Sequence, residues 1–341
     1  MLQTIIHYNS PKIQERAIWK TFVDEHPNGN IFHAPEFYDV YLNTDNYTPV
    51  TILARDKNTI VGLVCAVIQK ERSGFLGYFT SRCIIFGGPL VQDNNETIAR
   101  TLIEELVKQV RRKSIYIQFR NLHVISHFRE VFNEFSFFYH PHLDIHIDLS
   151  PPFEELKKSM HSSRLRNQKK SLRKGLNVKN LTSWAEIKEG YKLVDQTYRR
   201  VGLPSPDLSL YKAIYDHLLP KNIAGIYGAV LNDNLIGFRM VLKYKDCIYD
   251  YYAGSLPEHN NKYPNDVLIL HVLDEGCQNA EYKYFDFGGA GKPGEKYGVR
   301  DHKLKFGGQL VEYGRYTRVN NKLVYYLASW ALILWKKIKG K

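Results

Sequence analysis

The chain has 341 residues, is 44% hydrophobic and 24% charged, and carries a formal net charge of +12. That composition excludes a disordered or low-complexity protein and suits about two domains with cores of their own. The positive surplus points to polyanionic partners (nucleic acid, nucleotide cofactors, diphosphate-linked lipids, an anionic membrane face) without choosing among them.

In chain order the residues predict a strand over 2–8, a helix over 11–26, and a second helix opening at Phe32–Phe37 with Pro35 in its first turn. Strands over 49–55 and 59–69 form a hairpin around a polar turn. The strand Cys83–Phe86 is broken by Gly87-Gly88-Pro89. A helix over 95–112 places Leu102, Leu106 and Val110 at helical spacing, and Ile115–Phe119 is the next strand. His140, His142, Asp144, His146 and Asp148 then alternate with Leu143, Ile145, Ile147 and Leu149. That is the period of a half-buried strand; its polar face is read as solvated, and no metal is assigned to it.

Pro151-Pro152 is the expected joint, giving a first domain over 1–150 and a second over 151–320. The second repeats the order of the first: a helical region over 153–200, strands over 223–231, 235–244 and 247–253, a helix over 266–280 capped by Asn265, and a strand over 282–287. A glycine-rich loop over 288–298 follows, then residues 303–319. Residues 321–341 form an apolar helix with lysines at its end. Two short motifs occur twice: Asn58-Thr59-Ile60-Val61-Gly62-Leu63 is matched by Asp233-Asn234-Leu235-Ile236-Gly237-Phe238, and Tyr116-Ile117-Gln118-Phe119-Arg120 by Tyr284-Phe285-Asp286-Phe287-Gly288. The two matches have nearly the same offset, so one α/β domain around a mixed sheet is used twice.

The four cysteines (Cys65, Cys83, Cys247, Cys277) lack metal or redox spacing. Free thiols in a reducing cytoplasm fit them. Residues 1–20 hold no long apolar run, so no secretory leader is expected.

Four constellations can carry chemistry. Residues 157–174 hold eight basic side chains and no acid. Arg166, Lys169 or Lys170, and Arg173 share a helical face, which can hold a polyphosphate or an RNA backbone; the alternative is a solvated surface helix. Phe285-Asp286-Phe287-Gly288-Gly289-Ala290-Gly291, with Lys303 and Lys305 beyond it, reads as a strand ending in glycines beside a second strand that presents both lysines on one face. Lys303 can stabilise an oxyanion or bind a phosphate, against the alternative of an exposed lysine. Asp286 either accepts a proton or caps the glycine loop. Tyr249-Asp250-Tyr251-Tyr252 lines a pocket or is half core. Finally, Leu323–Trp335 is too short to span a bilayer, and its aromatics and following lysines suit either a membrane surface or a docked helix.

The order strand, Tyr252-Ala253-Gly254-Ser255, loop, helix, Phe285-Asp286-Phe287-Gly288-Gly289, then Gly298 through Lys303 to Phe306-Gly307-Gly308, resembles the Fem family of peptidoglycan interpeptide-bridge aminoacyltransferases. These are built from two GNAT-type domains. The resemblance is strongest from Leu156 to Gly308. It implies tandem GNAT-like domains and transfer of an aminoacyl group from aminoacyl-tRNA to an amine of a cell-wall precursor, with no tightly bound cofactor. It places Lys303 at the family's Phe-Lys position, with His302 in place of the phenylalanine and Lys305 as the fallback. Arg166, Lys170, Arg173 and Lys305 are the expected donor-binding residues, and Tyr252 and Arg300 the expected acceptor-binding ones. The same fold hosts acyl-CoA enzymes acting on sugars or polyamines. Their pyrophosphate loop aligns with Pro257–Pro264, which lacks glycine. A non-enzymatic RNA or membrane binder is the third reading. The expected location is the cytoplasm, with peripheral contact at the inner membrane face through residues 322–341.

Overall fold

The computed structural model describes residues 4–8, 13–327 and 330. The first elements are β1 (Thr4–Tyr8), α1 (Ile13–Glu25), α2 (Pro35–Leu42), β2 (Tyr47–Asp56), β3 (Thr59–Gln69), β4 (Arg82–Phe86), β5 (Leu90–Val91), α3 (Glu96–Val110), β6 (Tyr116–Arg120), α4 (Arg129–Glu134) and β7 (Phe138–His140). Next come β8 (Leu143–Asp148), α5 (Phe153–Ser159), α6 (Ser162–Arg173), β9 (Asn177–Asn180), α7 (Trp184–Arg200) and α8 (Leu208–His217). They are followed by β10 (Ala224–Leu231), β11 (Asn234–Tyr244), β12 (Cys247–Ser255), α9 (Pro264–Gln278), β13 (Tyr284–Gly289), α10 (Gly298–Leu304) and β14 (Gln309–Glu312), and β15 (Arg315–Val319) comes last.

Two compact units result. One is Met1–Pro141 with Tyr313–Lys341; the other is His142–Glu312. The boundary therefore falls ahead of Pro151-Pro152, and the second unit ends before residue 320. The reason is strand exchange. β8 follows the first unit in sequence but pairs with β13 in the second sheet, and β15 follows the second unit but pairs with β6 in the first. Alternating hydrophobicity shows that a segment is a strand; it does not show which sheet receives it.

The two sheets have the same plan. The first runs β1-β2-β3-β4-β6-β15-β7, with β5 on β3; the second, read from its far edge, runs β9-β10-β11-β12-β13-β8-β14. Along each order every pair is antiparallel except one, β4 with β6 and β12 with β13. A parallel pair needs a crossover, which α3 and α9 supply. The repeated motif has a packing cause. Gly62 lies opposite Ala54 and Gly237 opposite Ala229, each next to a register shift in its hairpin. A Cβ on Gly62 would sit 2.6 Å from Ile98 and 2.9 Å from Leu102 of α3; one on Gly237 would sit 2.8 Å from Pro264 of α9. Each glycine lets its crossover helix lie close on the sheet. Leu102, Leu106 and Val110 fill the first core, and Leu268, Val272 and Phe285 the second.

Three local expectations change. The helical region over 153–200 is interrupted by β9. Tyr263, not Asn265, is the N-cap of α9, and the Asn265 amide instead donates to the Ser255 hydroxyl at 3.0 Å. Lys303 and Lys305 are not on a strand. Lys303 lies in the last turn of helix α10 and Lys305 is its C-cap, so the two do not share the face that alternation implied.

Candidate active site

In the second unit the parallel seam opens. β12 and β13 pair only at Cys247↔Tyr284, Ile248↔Phe285 and Tyr249↔Asp286, although β12 continues to Ser255 and β13 to Gly289. On the other side of β13, pairing with β8 shifts register between Asp286 and Gly289. Phe287 and Gly288 thus lack ladder partners on both sides, and buried carbonyls without partners are costly.

Lys303 supplies the missing donors. Its ammonium donates to the carbonyls of Phe287 at 2.6 Å, Gly289 at 3.1 Å and Gly288 at 3.4 Å. Burial lowers the Lys303 pKa, while the carboxylates of Asp250, Asp286 and Asp144 oppose that shift and Arg239 adds to it. Asp286 is 3% exposed. Its Oδ1 accepts from the Gly288 amide at 2.6 Å, and its Oδ2 lies 3.7 Å from His146 Nε2. These are the contacts of a cap on the glycine turn. Gly288 sits at φ +67, a conformation that favours glycine.

A buried network ties α6, α9 and α10 together. Arg164 Nη1 donates to Asp266 Oδ1 at 2.8 Å, and Asn167 Nδ2 donates to Asp266 Oδ2 at 2.8 Å. Arg164 Nη1 also lies 3.3 Å from His302 Nδ1, next to Lys303 in sequence. Burial lowers the His302 pKa, against the pull of Asp266. With Arg164, Asn167 and Ser171 turned inward, the opposite face of α6 points out. Lys157 and Lys158 pair with Glu154 and Glu155. Arg166, Lys169, Lys170, Arg173 and Lys174 are exposed and have no ion-pair partner among the described residues. With Ser162 and Leu165 they line an open groove of about 550 Å³. Lys170 also lies over the Tyr263 ring, 5.6 Å from its centroid. So the run of eight divides: three cations are neutralised and five form a continuous basic face.

The other expected residues are placed as follows. Arg300 donates to the carbonyls of Lys292 at 2.9 Å and Ala290 at 3.4 Å, and to that of Glu295, which clamps the glycine-rich loop. Tyr252 is half-buried in a cluster with Tyr211, Tyr198 and Tyr251. Lys305 is exposed. Sequence reading missed the buried pair of Arg239 and Asp250 on neighbouring strands, with Arg239 only 4% exposed. The signal was there: Arg239 is a single charge inside the apolar run Ile236–Leu242. No group of three or more histidine, cysteine, aspartate or glutamate side chains among the described residues can hold a metal ion.

Residues 159–303 match the acetyltransferase (GNAT) domain family. The second unit is a GNAT domain, and the chain is an acyltransferase. No curated protein matches it in sequence. Among solved structures, the crystal structure of FemX superposes with a TM-score of 0.71 at 15% identity, over 94% of this chain and 99% of that one. A tandem GNAT protein from the clavulanic acid biosynthesis pathway gives 0.62 at 10% identity, over 93% and 98%. L-PGS from Bacillus licheniformis gives 0.58 at 13% identity, over 95% and 97%. At such identities the likeness is one of fold: tandem GNAT-like units with mixed sheets.

A GNAT fold implies a diffusible acyl-CoA as co-substrate. The residues ahead of α9 fit its pyrophosphate poorly. Pro257 and Pro264 have no amide to donate. The first turn of α9 is already engaged by the buried Asp266–Arg164 pair. The unpaired positive charge lies on α6 instead.

Proposed function

We propose that the protein transfers an aminoacyl group from aminoacyl-tRNA to an amine of a cell-wall precursor. It would work in the cytoplasm, in peripheral contact with the inner membrane face. The observation that carries this reading is the coincidence, in one unit, of an opened parallel seam and five unpaired cations on α6. Ligands in such sheets bind where neighbouring strands part. A row of cations held outward by a buried anchor suits a nucleic-acid backbone. The poor pyrophosphate fit at Pro257–Pro264 favours this donor over acyl-CoA.

In this reading a neutral amine attacks the ester carbonyl. The new C–N bond forms, the ester C–O bond breaks, and the amine proton ends on the departing ribose hydroxyl. Lys303 is the electrostatic residue. It holds the glycine turn through three carbonyls and sets a desolvated positive charge beside the seam, where a developing oxyanion gains most from it. Asp286 keeps Gly288 in place. Arg166, Lys170 and Arg173 hold the donor backbone, with Lys305 at the margin. Tyr252 and Arg300 shape the acceptor side, Arg300 through the loop it clamps.

The test is donor binding against salt. The triple variant Arg166→Gln/Lys170→Gln/Arg173→Gln should bind tRNA about 10- to 100-fold more weakly and lower the slope of log K against log salt by about 2 to 3. Saturable stabilisation by acetyl-CoA without tRNA binding would overturn the reading in favour of an acyl-CoA-dependent N-acetyltransferase acting on a sugar or polyamine.

A further inference from the structure

Residues 322–327 and 330 are helical. Asn321 starts this helix: its side chain accepts from the Val324 amide at 3.1 Å and its carbonyl from the Tyr325 amide at 2.9 Å. One face turns inward, where the Tyr325 ring meets Tyr116 edge-on at 5.7 Å. The opposite face is apolar and bare. Leu323 is 72% exposed, Tyr326 60%, Leu327 61% and Trp330 68%. Their spacing of i, i+3, i+4 and i+7 makes one stripe along the helix.

We infer that this stripe docks on an anionic lipid surface. A run of large apolar side chains on one helix face marks an interaction site. The charge of the sequence that carries the stripe names the occupant. Residues 322–341 contain Lys322, Lys336, Lys337, Lys339 and Lys341 and no acid. A second copy of the chain would bring like charges together, whereas an anionic bilayer surface attracts each lysine. The aromatics fit the same occupant, since tyrosine and tryptophan favour the headgroup level. No helix among the described residues is long and apolar enough to span a membrane, and an aromatic stripe with lysines suits a helix lying at the surface. Docking would hold the enzyme where lipid-linked substrates are found, and it does not depend on which acyl donor is used.

The test is co-sedimentation with phosphatidylcholine vesicles, with and without phosphatidylglycerol. The wild type should bind the mixed vesicles and not the neutral ones, with a blue shift in tryptophan emission. Leu327→Asp/Trp330→Asp should weaken binding by at least about tenfold, as should Lys336→Gln/Lys337→Gln/Lys339→Gln/Lys341→Gln at low salt. Both variants alter exposed or terminal positions, and circular dichroism should confirm an unchanged fold. The inference is overturned if the wild type ignores anionic vesicles, or if the Leu327/Trp330 variant binds as well as the wild type. It is also overturned if only the α6 triple variant releases the protein, which puts the contact on α6. Sedimentation velocity provides a further check: if the Leu327/Trp330 variant converts a dimer to a monomer, the stripe is a contact between copies.

Discussion

The two parallel seams are the same strands of the same plan, and they end differently. In the first unit β4 and β6 pair along their whole length, Arg82↔Tyr116 to Phe86↔Arg120, and Gly87 extends the ladder by donating to the Arg120 carbonyl at 2.9 Å. The space beyond is filled: a Cβ on Gly87 would meet Asn30 at 2.3 Å and His33 at 2.6 Å. In the second unit the ladder stops after Tyr249↔Asp286, and a lysine takes over the stranded carbonyls. The basic helix α6 belongs to this unit too. A duplicated scaffold can thus keep one copy closed as structure and open the other for chemistry. What separates them is a few residues at a strand end.

Substitutions can break or sharpen this contrast. The largest effect is expected at the network that pins α6. Asp266→Ala leaves Arg164, 12% exposed, without its carboxylate. Removing one partner of a buried pair costs about 3–5 kcal/mol, so denaturant unfolding should show the second unit losing stability while the first keeps its own. The scaffold itself should respond equally in both copies. Gly62→Val and Gly237→Val each overpack a crossover helix, at about 1–3 kcal/mol. A clear cost in only one copy would mean that the two glycines do different jobs.

The smallest effect concerns acid and the first unit. Burial, with His33, His26 and His127 nearby, lowers the His123 pKa to about 3. The folded-state pKa lies below the ordinary value, so the unfolded chain binds more protons and stability falls as pH drops from about 6.5 towards 3. His123→Gln should flatten that loss, read from melting temperatures at pH 7 and pH 4.5. Equal pH dependence in variant and wild type would remove His123 from the account.

The duplication was legible because its cause is local. Gly62 and Gly237 are small where a helix must approach, and the constraint leaves a motif in each copy. The basic run was legible as composition, but its division was not: only the fold shows Arg164 turned in to Asp266, a residue distant in sequence. Lys303 was singled out by resemblance and by its place after the glycines, while its helix was misread as a strand, since a short Lys-Leu-Lys-Phe stretch has no period long enough to decide. The strand exchange was invisible for a different reason. β8 and β15 carry the pattern of any half-buried strand, and partner choice is made by tertiary packing. Arg300 and Tyr252 illustrate the same limit: their types suggested ligand contact, and their partners turn out to be loop carbonyls and other rings.

The central claim is that the opened seam of the second unit performs acyl transfer with Lys303 as its charged residue. The direct measurement is the rate of labelled aminoacyl transfer from tRNA to an amine-bearing cell-wall precursor, by the wild type and by Lys303→Met, after circular dichroism has shown that the variant is folded. The account predicts transfer by the wild type and a loss of about 10²- to 10³-fold in the variant. A folded Lys303→Met protein that turns over at the wild-type rate would contradict it.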